Sequence, residues 1–175
     1  MDVIAEMLSR TDGPTVEFAT AATLTREMTK KAHDYWQAVR GARPWPARKD
    51  ITPQGMREFL SHVGLVEARP GAKGGTTYFI RLAGAKIESV YGSITGKALS
   101  EFLSVPLEAR WRLVFDAALA RQEPFRVATR VMFGGKSYLA AEVFLAPMGE
   151  QDDVSMIFAA VDVWPAVGGT GPAGG

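Results

Sequence analysis

Among the residues that can do chemistry, Glu142 and Asp162 stand out. Each sits inside an apolar run that alternates as a strand, where a carboxylate needs a cation or a hydrogen-bond donor beside it. Arg81, Arg126 and Arg130 fall in other strand-like runs and are available as cross-strand partners. An acid and a tyrosine in an apolar cup is also a proton-transfer arrangement, with Glu142 and Tyr138, or Asp162, as its members. The balance favours an ion pair on a partly wet sheet face. Other chemistry is sparse. His33 adjoins Asp34 on the polar side of a helical stretch, and His62 begins a strand. No Ser–His–Asp spacing, HExxH or acid cluster with metal-ligand spacing is present. Asp152-Asp153 reads as a solvated turn. Cysteine is absent, which removes disulfides, thiolate nucleophiles and Cys-ligated metal. Arg40, Arg43, Arg48 and Lys49 make the loop around Trp45 basic. With a net charge of only +1 this reads as a solvated loop rather than an anion site, and nucleic acid is not an expected partner.

The elements that position these groups are legible in the spacing. Tyr78, Ile80 and Leu82 alternate with Phe79 and Arg81, so Thr76 to Ala83 reads as a strand with Arg81 on the face opposite the tyrosine, near the N-terminal helix. Gly84 ends it, and a short helix with Ile87, Val90 and Tyr91 on one side follows, stopped by Gly92. Thr23 or Thr25 can cap a helix to about Val39, with Leu24, Met28, Ala32, Tyr35, Trp36 and Val39 on one stripe. Thr52-Pro53 opens a short helix carrying Met56, Phe59 and Leu60. His62 to Arg69 is a strand. Leu107 to about Arg121 is the longest helix, with Ser104 as its cap. Three strands end the chain, 125–133, 137–147 and 154–164, the first two joined by Gly134-Gly135.

This order predicts an α+β domain built on a five-stranded antiparallel sheet. The strand 154–164 is apolar on both faces, so it belongs in the middle of a sheet covered on both sides. The short helices and the long helix cover one face and helix 23–39 the other, which makes Met28, Tyr35, Trp36 and Val39 a lid or an interface. Residues 1–22 form an N-terminal extension with a possible short helix, 23–164 the domain, and 165–175 a disordered Gly/Pro-rich tail. No apolar run approaches the roughly 20 residues of a membrane span, and the acidic N-terminus is no secretory signal, so a cytoplasmic location is expected.

The residues Tyr35-Trp36, Arg40-Gly41, Pro46, Asp50, Pro53, Arg81 to Gly84, Tyr91-Gly92 and Thr95-Gly96 carry a pattern, YW…RG…P…RLAG…YG…TG. It resembles that of a PAS-like family of mostly single-domain bacterial regulatory proteins, over about residues 33–164. The resemblance implies a PAS fold and a non-catalytic sensory role, acting through a small molecule between sheet and helices or through a partner signalling protein. The chain lacks the cysteine of flavin photosensors and any histidine in the long helix where a haem would be held. No cofactor is assigned, and flavin and haem are disfavoured. Tyr78, Ile80, Leu82, Ile87, Tyr91, Phe102 and Trp111 are the expected pocket lining. Two alternatives remain: a dimerisation or adaptor module without ligand, and a small cone-fold isomerase or dehydratase.

Overall fold

The computed structural model describes residues 16–136 and 139–166. Its six strands are β1 (Glu17–Thr20), β2 (Val63–Pro70), β3 (Thr76–Ala83), β4 (Phe125–Arg130), β5 (Leu139–Glu150) and β6 (Asp153–Pro165). They form one sheet in the order β1-β4-β5-β6-β2-β3, every pairing antiparallel. Helix α1 (Glu27–Arg40) packs on one face, and α2 (Ala85–Tyr91) and α3 (Val105–Arg121) on the other. The alternation of β5 decides what each face receives. Phe144, Ala146 and Met148 join the α1 side, while Val143 and Leu145 join the α3 side. Strand β6 lies between β5 and β2, as its two dry faces require.

The sheet has six strands where five were expected. Strand β1 falls within the expected N-terminal extension and pairs Glu17–Thr20 with β4. Four residues give too short a run for alternation to register. Tertiary contact selects the strand, with Phe18 stacked on Phe125 at 5.8 Å between ring centres. Several boundaries also differ. Helix α1 begins at Glu27 with Arg26 as its N-cap and no side-chain cap bond. The Thr23 hydroxyl donates to the Thr20 carbonyl instead, and Thr25 serves β5, as described below. Residues 53–59 form consecutive turns rather than a helix, and at Gly55 an added Cβ would collide with the Tyr35 ring. Strand β4 stops at Arg130, and Ser104 precedes α3 without a side-chain cap bond. The expected helix near the N-terminus and the tail beyond residue 166 lie outside the described residues.

The residues of the family-like pattern mostly hold the framework. The buried Trp36 indole N–H donates to the Pro147 carbonyl at 3.0 Å, tying α1 to β5. The Tyr35 hydroxyl accepts from the Thr52 amide. Asp50 accepts from the Ala47 amide and from Arg43, which hold its carboxyl below the usual range. Arg40 bonds Gln37 and the Arg43 carbonyl, and Arg48 bonds the Ile51 carbonyl, so three of the basic loop's side chains are engaged in shaping it. A Cβ on Gly84 would fall inside the carbonyl oxygens of Leu60 and Ser61, so only glycine fits between β3 and α2. The Thr95 hydroxyl accepts from the Ala83 amide, and the Gly96 amide donates to the Ile80 carbonyl at 2.6 Å. This segment occupies the outer edge of β3 from Phe79 to Ala83.

Candidate functional site

Two features share β5 as a wall, one on each face. On the α3 side an apolar cavity of about 80 Å³ lies between the sheet and the helices. Ile80, Ile87, Phe102, Trp111, Val143 and Ala159 are among its walls. Of the expected pocket residues, Ile80, Leu82, Ile87, Tyr91, Phe102 and Trp111 border it. Tyr78 does not. It is fully buried beside the cavity, 5.2 Å from the Phe115 ring, and its hydroxyl donates to the Asp116 carboxylate at 2.5 Å. Burial first, and then this bond to an anion, raises the phenol far above its ordinary range. Tyr78 is a strut between β3 and α3.

Leu82 borders the cavity and also packs with the α1-side cluster. The cause is a β-bulge. Leu65 pairs with Leu82 but Val66 pairs with Ile80, so Arg81 is an extra residue on β3 and the alternation slips there. Arg81 is more than half exposed and ion-pairs with Glu67 on β2 at 3.2 Å, rather than with the N-terminal helix.

On the α1 side lies a polar network that a spacing argument reaches only in part. Glu142 is fully buried, not on a partly wet face. Its carboxylate accepts from five donor groups: the Thr25 amide and hydroxyl, the Arg26 amide, the Thr29 hydroxyl and Arg126 Nε. Burial alone would raise its pKa. The bonds from Thr29, Arg126, Arg26 and Thr25 outweigh that and hold it at about 2. The anion also sits at the positive N-terminal end of α1. Directly across the strand pair, Asp162 faces Glu142 and binds Arg26 Nε at 2.9 Å, while the Arg26 guanidinium lies 4.4 Å over the Trp164 ring. Each of these adjacent acids therefore has its own arginine. Arg126 reaches Glu17 on the far side, linking β1 into the network.

The network disposes of Glu142 as a free acid, since its oxygens are saturated and point away from the cavity. Tyr138 lies outside the described residues. His62 Nδ1 lies 2.9 Å from the Val161 carbonyl and 3.8 Å from Asp162. His33 is not on a wholly polar side: its ring packs edge-on to Phe144 at 5.3 Å, and burial lowers its pKa. Thr25 and Thr29 were missed as members of the site. Two hydroxyls four residues apart at a helix start were the available signal. The backbone donors of Thr25 and Arg26 leave no trace in sequence.

Of the lid or interface residues, Trp36 is buried in the α1-side core, and Met28, Tyr35 and Val39 pack partly buried around it. Among the described residues, no group of three or more ligating side chains could hold a metal ion, and no helix is long and apolar enough to cross a membrane. Among family models, one described as a PAS domain matches residues 24–161. No curated protein matches the sequence.

Proposed function

The chain belongs to the PAS domain family, and from that premise we propose that it is a sensory module that binds a small apolar ligand in the α3-side cavity and signals to a cytoplasmic partner protein by altering α1 and β1. The observation that carries this reading is the position of Glu142. Its neighbours Ala141 and Val143 line the cavity, while its own carboxylate grips the start of α1 from the other face. A ligand that displaces β5 by a fraction of an ångström changes hydrogen bonds whose strength depends steeply on geometry. It therefore shifts the population of α1-docked and α1-loosened states. The partner reads the loosened surface.

The dimerisation reading is weaker, because the side chain best suited to anchor an interface on α1, Trp36, is spent inside this fold. The test is amide NMR and hydrogen exchange under xenon pressure, since xenon enters dry apolar cavities. The expected result is a shift of the Val143 and Ala159 amides together with altered exchange at Thr25 to Thr29. A shift confined to the cavity refutes the coupling. No shift anywhere refutes ligand binding and leaves an adaptor.

A further inference from the structure

Eleven of the twelve glycines among the described residues are explained by the fold itself. Seven have left-handed backbone, and at four others an added Cβ would come under 3.0 Å from a neighbouring atom. Gly64 does neither. A Cβ there would rest 3.4 Å from Ile87 Cδ1 and 3.8 Å from both the Ala159 Cβ and the Leu82 carbonyl oxygen, which are ordinary contact distances. The β-bulge beside it places its extra residue on β3, at Arg81, and so asks nothing special of β2. Alanine therefore fits at position 64.

Glycine is a costly residue to have in that place. Strand β2 lies between β6 and β3, and Gly64 is buried, paired with Ala159 on one side and Ala83 on the other. A glycine inside a strand gives up side-chain packing and loses more chain entropy on folding than alanine does. What it leaves is space. Val63 and Leu65, on either side of it, belong to the α1-side core, so position 64 faces the other way. Gly64, Ala83, Ile87 and Ala159 all border the α3-side cavity. A strand glycine that no turn or close contact requires marks a place where a ligand can approach the backbone.

Resting on the ligand-binding reading above, we propose that Gly64 is a ligand-contact residue that sets what the cavity accepts: a small molecule with a hydrocarbon body of about three or four carbons, lying against the bare β2 backbone between Ile87 and Ala159. The size follows from the volume. About 80 Å³ is roughly half of the ~150 Å³ that admits benzene. The hydrocarbon character follows from the contacts. The side-chain atoms facing position 64 are methyl carbons, which give a polar group nothing in return for its lost water.

Cyclopropane is the probe, with xenon as the smaller reference. Each is dissolved under pressure in a solution of the full chain, following the amides of residue 64 and Ala159 by NMR, and melting is recorded without gas. Gly64→Ala should melt about 1–4 °C higher. It should also bind cyclopropane at least tenfold more weakly, the effect of about one methylene of misfit in an apolar pocket. A variant that does not melt higher, or does not fold, shows that the backbone needs its glycine and overturns the inference. A stabilised variant that binds cyclopropane within about twofold of the parent chain also overturns it, because the probe then lies elsewhere. The ligand-binding reading survives both results. Shifts from xenon with none from cyclopropane refute the stated size and leave the pocket standing. If neither gas moves the amides of the parent chain, both readings fall.

Discussion

Replacing Glu142 with glutamine tests the polar network that carries the proposed coupling. The side chain keeps its shape and loses its charge. Its amide NH2 then confronts groups that are themselves donors: the amides of Thr25 and Arg26, and Arg126. A carboxyl that titrates at 4.5 unfolded and at about 2 folded contributes about 3 kcal/mol at neutral pH. Removing one partner of a buried pair costs a similar ~3–5 kcal/mol. The sign follows from the depressed pKa. The contribution is complete above the unfolded value and is lost as pH falls from about 5 towards 2. Urea unfolding of both proteins, followed by tryptophan fluorescence, should therefore show a gap of about 3 kcal/mol at pH 7 that narrows steadily below pH 5. Near neutral pH the variant should melt about 6–12 °C lower. A gap below about 1 kcal/mol, or one that stays constant from pH 7 to pH 3, would refute the claim that the carboxylate charge anchors α1.

Two further substitutions probe the framework around the cavity. Gly84→Ala should destabilise by about 3 kcal/mol in chemical denaturation, because the added methyl meets backbone carbonyls that have no rotamer to yield; a neutral result would mean that the β3–α2 junction is looser than it stands here. Tyr78→Phe should lower the melting temperature by only about 2–4 °C, a cost of about 1 kcal/mol, since Asp116 is exposed and water can replace the lost hydroxyl.

The sequence revealed those features that rest on a repeated pattern. The doubly apolar run ending at Trp164 announced a central strand, and the stripe through Trp36 announced a covered face. Both follow from burial, which leaves a periodic mark. Strand β1 and the bulge at Arg81 leave none. One is four residues long and held by Phe18 against Phe125. The other is a single-residue slip that turns Leu82 towards the α1 side while Ile80 keeps facing the cavity. Tyr78 was assigned to the pocket because alternation places it beside Ile80. Its displacement from the lining is set by Asp116, 38 residues away. The identity of Glu142 as a notable acid was legible. Of its donors only Arg126 was, because three of the five belong to Thr25 and Arg26 and two of those are main-chain amides.

The period of two along β5 joins the cavity and the network into one device. Ala141 and Val143 leave room beneath α3, whereas Phe144 and Met148 are fully buried in the α1-side core. Space and charge are thus segregated by side-chain parity, and Glu142 occupies the single position between the two cavity-lining residues where a carboxylate can face the start of α1. A one-residue insertion before Ala141 would exchange the two sets and put the acid into the apolar cavity, where its desolvation would go uncompensated. The register of β5 against β4 and β6 is therefore the structural condition on which both the ligand space and its proposed readout depend.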